Sequence, residues 1–329
     1  MQIALTGDVM LGRMVDQSVI QNRSLRPEAL WGDVLPVMLA ADCRLINLEC
    51  VISSLGDAWH PATKAFHFRA HPRALEFLRA ARIDGVTLAN NHVLDFGADA
   101  LLDCLALLDR SGIKRAGAGA TLQDALYPAL FGLPQHRIAV VALTDNEPDW
   151  EAAGTRPGVN HVAYHDRGLM EPYRSRLAQV LSSARRQADL VIVSAHVGPN
   201  WGAPSRAIQA LARDLLDMGA DFYWGHSNHT PQGIERYKGK AILYSAGDFV
   251  DDYAVDQDER NDLSFLFMLE VEKGRIGQIR LYPVRIENFG VRQANEREWQ
   301  FLKRTMQAKC KAFGTAMDVE GRVGVIALG

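Results

Sequence analysis

Through the first two thirds of the chain, short aliphatic and β-branched runs alternate with longer segments whose apolar residues recur every three or four positions. The short runs predict strands over 3–8, 43–49, 84–90, 137–145, 189–196, 221–226 and 240–249. The longer segments predict helices over 27–41, 71–82, 98–112, 169–188 and 206–219, two of them closed by the glycines Gly112 and Gly219. Alternation of this kind predicts an α/β architecture. After residue 260 the period changes to two: strands over 262–272 and 276–289 read as a hairpin turning at Gly274-Arg275, and an amphipathic helix follows over 297–313. No Pro/Gly/Ser-rich linker, low-complexity tract or internal repeat divides the chain. The expectation is one domain spanning 1–329 with two packed sheets, the hairpin and helix of about 260–329 completing the second sheet.

Composition narrows the function classes. The 329 residues are 48% hydrophobic and 23% charged with a net charge of −3. Lys and Arg are scattered, which argues against a nucleic-acid partner. No segment approaches 18 uncharged apolar residues, and the N-terminal run lacks a cationic flank, so a cytoplasmic protein without a membrane anchor is expected. The four cysteines form no C-x-x-C pair and read as reduced thiols without a functional role.

The informative pattern is where polar residues fall. The predicted strands end in Gly7-Asp8, in Asn47 and Glu49 on one face, in Asn90-Asn91-His92, in His196, in His226 through His229, and in Gly247-Asp248. Ligands of open α/β sheets bind outside the carboxyl ends of the strands. Singly, each residue has a structural reading as a turn, cap, ion-pair partner or core histidine. At the ends of successive strands they make an oxygen-plus-imidazole set suited to a borderline divalent ion such as Mn, Fe, Zn or Ni. His60, His67, His71, His136, His161 and His165 lie away from strand ends and read as structural.

The stretches LTGDVMLGR (5–13), INLEC (46–50), TLANNHVLDFG (87–97), SAHVGPNW (194–201), GHSNHTPQGIE (225–235) and ILYSAGDFVDDY (242–253) together resemble the CapA (poly-γ-glutamate capsule biosynthesis) family, whose fold is similar to that of the calcineurin-like metallophosphoesterases. The resemblance implies a four-layer α-β-β-α sandwich of two mixed sheets. It implies that Asp8, Glu49, Asn91, His196, His226 and His229 hold a divalent metal, with Mn, Zn or Fe expected. His92 falls at the position of a proton-donating histidine, oriented by Asn90 and Asp95. Three positions depart from the phosphoesterase pattern: Met10 where a ligand histidine is usual, Glu49 where a bridging aspartate is usual, and Gly-His-x-x-His in the last motif. One metal site is therefore expected, with the second weakened.

The resulting functional expectation is metal-assisted hydrolysis of a phosphoester or a glutamyl or peptide-type bond, with His92 as general acid. The substrate is expected to be a small molecule, peptide or polymer carrying anionic groups. Arg13, Lys64, Arg69, Asn200, Asp248 and Asp252 are its candidate contacts. Two alternatives accompany this reading. One is a metal-assisted epimerase in which His92 faces a second base from His196, Asp248 or Asp252; the other is a non-catalytic, metal-stabilised scaffold in capsule polymer synthesis. The acidic segment 248–262 is either a wall of the site or a solvated loop.

Overall fold

Period-two alternation sorts the strand residues into layers. The computed structural model describes residues 1–59, 64–134 and 136–328, so His60 lies outside the described residues. In β1 (Gln2–Val9) and β2 (Cys43–Leu48), Ile3, Leu5, Cys43 and Leu45 turn to one side, while Ala4, Ile46 and Leu48 turn to the other. β3 (Gly85–Thr87) and β4 (Lys114–Ala116) extend this sheet in parallel. A second sheet contains β5 (Ala129–Gly132), β6 (Arg137–Thr144), β7 (Leu190–His196), β8 (Phe222–His226), β9 (Ile234–Tyr237) and β10 (Lys240–Leu243), in the spatial order β9-β10-β8-β7-β6-β5. Its four inner strands are parallel and its two edge strands antiparallel.

Ile138, Val140, Leu190, Ile192, Phe222 and Trp224 meet the apolar face of β1 and β2, and this core lies between the sheets. The outer face of the first sheet is covered by α1 (Ala74–Ala80) and α2 (Gly97–Arg110), that of the second by α3 (Tyr173–Gln187) and α4 (Arg206–Asp217). The layers form the expected α-β-β-α sandwich of metallophosphoesterase-like type. All four cysteines are buried and free. No helix among the described residues is long and apolar enough to cross a membrane.

Four elements depart from the sequence reading. The strand expected over 240–249 is two strands in different sheets: β10 pairs with β8, and β11 (Asp248–Val250) pairs with β1. Gly247, at a φ of +69°, turns the chain from one sheet to the other. The C-terminal hairpin, β12 (Leu263–Glu272) and β13 (Arg275–Glu287), extends the first sheet beside β1 instead of completing the second. β12 is apolar on both faces, with Phe265 and Phe267 in the inter-sheet core and Leu266 and Met268 in the outer one, so it takes an interior place. Beyond it lie β14 (Gly290–Gln293), β15 (Asp318–Glu320) and β16 (Val323–Ala327). The helix expected over 27–41 is broken into 3₁₀ turns at Pro27–Leu30 and Gly32–Val34 and a short helix at Leu35–Leu39, Gly32 having a φ of +50° that no right-handed helix accepts. The last helix, α5 (Glu296–Lys311), is not in an outer layer: Trp299, Leu302, Met306 and Cys310 close one end of the inter-sheet core.

α5 begins with a capping box. Asn295 accepts from the Glu298 N–H at 3.1 Å, and the Glu298 carboxylate accepts from the Asn295 N–H at 2.7 Å. Burial alone would raise the Glu298 pKa, but Arg292 and Arg285 override it and hold the carboxyl at about 2, below its usual 4.5. The group binds fewer protons folded than unfolded, so its contribution is complete above about pH 4.5 and fades as pH falls towards 2. Glu298→Gln is expected to lower unfolding stability by ~2 kcal/mol at pH 7, with the gap to the parent narrowing between pH 5 and pH 3 in urea titrations.

Candidate metal centre

Towards the carboxyl ends of the strands, the face that carries the inter-sheet core turns polar. Leu45 gives way to Asn47 on β2, Ile192 to Ser194 and His196 on β7, and Trp224 to His226 on β8. Strict alternation would put Asp8 of β1 on the other face. A bulge corrects this: Leu5 pairs with Leu45 but Asp8 with Asn47, so β1 spends one extra residue and Asp8 joins the polar face. A buried chain of hydrogen bonds crosses the sheets there. Ser194 Oγ donates to Thr87 Oγ1 at 3.1 Å, Thr87 Oγ1 to Asn47 Oδ1 at 3.1 Å, and Asn47 Nδ2 to Asp8 Oδ1 at 2.8 Å. The Ser227 N–H donates to Asp8 Oδ2 at 3.2 Å.

Asp8, Glu49 and His196 each bring one ligand atom within 4.8 Å of the other two, all three residues buried. His226 Nδ1 lies 2.7 Å from Asp8 Oδ1 but out of line for a hydrogen bond, so both its ring nitrogens lack a hydrogen-bond partner among the described residues. Asn91 Oδ1 is likewise buried and unpartnered. Glu49 Oε1 stands 3.9 Å from both His92 Nε2 and His196 Nε2, beyond hydrogen-bonding range. Burial tends to raise the Asp8 pKa, yet His226, His196 and the Asn47 amide hold it down at about 2. Glu49 goes the other way: burial, then the charges of Asp8, Asp248 and Asp251, push it well above the carboxylate range. Burial drives His196 down to about 3, so it is a neutral imidazole whose Nδ1 faces the Asn47 amide. Converging carboxylates, a neutral imidazole and unpartnered donor atoms fit a divalent cation, which reverses the local electrostatics.

His92 stands beside this cluster, stacked on Phe68 at a centroid distance of 3.7 Å. Its Nδ1 lies 2.6 Å from Asp95 Oδ2, and Asn90 Oδ1 accepts its backbone N–H at 3.1 Å. Burial, reinforced by Lys64, pushes the His92 pKa well below its usual value, while burial lifts Asp95 to about 7. Lys64 Nζ lies 3.3 Å from Asp95 Oδ1, and the second ring nitrogen of His92, Nε2, has no hydrogen-bond partner among the described residues.

The cleft in front has a volume of about 510 Å³ and is lined by Glu49, Asn91, His92, His196 and His229, and by Arg13, Lys64 and Asn200. Lys64 reaches the Asn91 carbonyl and the Glu147 carboxylate. Ala254 and Asn261 also line it, so the acidic segment supplies one wall. His229 is held by Asp248 at 3.0 Å; burial opposes its charge, but Asp248 raises its pKa to about 9. Three expected substrate contacts are not among the lining residues. Arg69 stacks on Phe96 and donates to the Leu55 and Gly56 carbonyls, Asp248 is buried behind His229, and Asp252 is occupied by Arg13 and the Met14 N–H. Neither aspartate therefore stands as the second base that an epimerase needs. Met10 is turned into the outer core, its sulfur accepting the Gly12 N–H. Thr87 and the ring of Phe68 are not marked out in the sequence, and Ser194 and Ser227 are visible there only as neighbours of the strand-end histidines; Tyr253, whose hydroxyl is 3.5 Å from Glu49 Oε2, closes a motif that stands out in sequence for its aspartates.

The family model described as bacterial capsule synthesis protein PGA_cap matches residues 2–253. A probable polyglutamine synthesis accessory protein of Mycobacterium tuberculosis is 33% identical over 95% of this chain and 92% of its own length. The PGA biosynthesis protein CapA of Bacillus subtilis is 28% identical over 86% of this chain and 71% of its own. Among solved structures, a hypothetical protein from Thermus thermophilus superposes with a TM-score of 0.52 at 16% identity, covering 87% of this chain and all of that one, a likeness of fold.

Elemental analysis of protein incubated with Mn, Zn or Fe salts and then desalted checks the cluster. Retained metal is expected in the parent and in the surface control Asp217→Asn, with affinity lost by about tenfold or more in Asp8→Asn and Glu49→Gln. Equal retention in Asp8→Asn would remove the site from consideration.

Proposed function

The chain belongs to the PGA_cap family of bacterial capsule synthesis proteins, and from that premise we propose that it is a divalent-metal-dependent hydrolase acting on an anionic polymer of the polyglutamate kind. The observation that carries this reading is the convergence of Asp8, Glu49 and His196 next to a histidine whose second nitrogen is fixed by an aspartate. Asp8 and Glu49 with the Asn91 amide oxygen offer hard ligands, and His196 and His226 borderline ones, a set suited to Mn, Zn or Fe. A divalent ion held there supplies Lewis acidity to the scissile group and acidifies water.

The remaining work falls to the chain. Asp95 fixes the His92 tautomer through Nδ1, and Asn90 fixes the turn that carries the ring. Being neutral at rest, His92 takes up a proton at Nε2 before it can deliver one, so it is a base first and the leaving group's acid afterwards. Phe68 covers the face of the ring and keeps water from it. Lys64 and Asn200 meet the substrate's polar groups at the cleft wall.

His92→Ala is expected to cut turnover of poly-γ-glutamate, or of a model phosphoester, by about 10²–10⁴ while metal content is unchanged. Amine release, or the appearance of phosphate, reports the rate. An alanine variant as fast as the parent, or metal-replete parent inert on both substrates, would end this proposal.

A further inference from the structure

One cation in the cleft is prepared in a way that the proton-transfer machinery does not require. Arg13 follows the β1 turn with its backbone at a φ of +50°, a conformation unfavourable for a residue with a Cβ. Its side chain is 36% exposed and that of Asp252 is fully buried; Asp252 Oδ2 lies 3.3 Å from Arg13 Nε and also accepts the Met14 N–H at 2.9 Å. Below, the guanidinium carbon sits 5.2 Å from the Phe66 ring centroid and 5.7 Å from that of Phe68. Nε and one face are thus engaged. Neither Nη atom has a hydrogen-bond partner among the described residues, and the residue lines the cleft.

We propose that Arg13 is a pre-oriented fork for an oxyanion of the substrate, a carboxylate or phosphate that is not itself the reacting group. Held at Nε by a buried carboxylate, the guanidinium offers its two terminal amino groups in one plane, the arrangement that takes two oxygens at once. Tethering at Nε and on one face lowers the rotamer entropy lost on binding. Position gives the fork its meaning: the Phe68 ring contacts the Arg13 guanidinium, 5.7 Å from its centroid, and stacks on His92 at 3.7 Å, so the anion would sit beside the ring that packs on the proton-transferring histidine. A charged group at that spacing belongs to the unit next to the one being cleaved. Arg13 therefore sets which anionic chain enters and in what register. The inference rests on the metal-dependent hydrolase reading for its geometry, but its test does not depend on turnover.

Calorimetric titration of the Mn-loaded protein with penta-γ-glutamate, with the same peptide amidated on its side carboxyls, and with inorganic phosphate separates the possibilities. The parent is expected to bind one or both charged probes about tenfold or more tightly than the amidated peptide. Arg13→Ala should lose that preference, Arg13→Lys should fail to restore it because an ammonium has no planar fork, and Asp252→Asn should lose part of it. Mn affinity should be unchanged in all three. Preference for the peptide over phosphate identifies a carboxylate; the reverse identifies a phosphate. Parental affinity in Arg13→Ala, equal binding of the amidated peptide, or no binding of any probe by the parent overturns the inference. Tight binding without cleavage would overturn the hydrolase reading and leave the fork standing.

Discussion

The structure depends on a carboxylate buried between two sheets. Asp8 sits where the inter-sheet core ends, and an isolated charge in such a place is far too unfavourable to persist. It is tolerated because groups from other strands converge on it: the Asn47 amide from β2, the Ser227 N–H, and the imidazoles of His196 and His226 from β7 and β8. Removing either hydrogen-bond donor, the Asn47 amide or the Ser227 N–H, leaves a buried charge under-solvated, so the two sheets cannot slide past one another without exposing it. The bulge in β1 and the polar continuation of the core face serve this single atom group.

Packing of the main chain enforces the same arrangement. The segment that carries the chain from β10 to β11 crosses both strand ends so closely that a Cβ on Gly7 would lie 2.1 Å from the Gly247 oxygen, and one on Gly225 2.1 Å from that of Tyr244. Backbone hydrogen bonds from Ala246 to Gly225 and from Asp8 to Gly247 stitch the crossing to both sheets. Side chains at either glycine would force the sheets apart at the point where Asp8 needs its partners. The glycines next to Asp8 and His226 are thus part of the site's geometry, although neither contributes a functional atom.

Much of this is legible in the sequence because burial and chemistry follow the same period. Once the strands are placed, Asn47 and Glu49 must share a face, as must Ser194 and His196, and their position at carboxyl ends marks a ligand site. Motif order then identifies the family. Illegible are the features that depend on the neighbouring sheet. The bulge leaves no mark in LTGD, and without it alternation would point Asp8 away from the site. The run KAILYSAGDF is continuous in hydropathy, yet it changes sheets at Gly247. Arg69 reads as a cleft cation because it flanks the site motifs in sequence, but adjacent residues of an extended segment point to opposite sides, and while Phe68 lines the cleft, Arg69 faces Phe96. Lys64, in the same loop, reaches the cleft.

The departures from the two-metal pattern also make physical sense together. Met10 contributes nothing to the polar face because its side chain fills the outer core and its sulfur caps the Gly12 amide. The extra residue between His226 and His229 is accommodated by Ser227 at a φ of +79°, and the displaced His229 is engaged by Asp248 and held towards the charged form. One potential ligand has become core, and another has acquired a carboxylate partner of its own. Neither change takes a hydrogen-bond partner from His92 or a ligand atom from the group formed by Asp8, Glu49 and His196. The cluster of Asp8, Glu49 and His196 and the neighbouring Asp95–His92 pair therefore stand together, undisturbed by either departure.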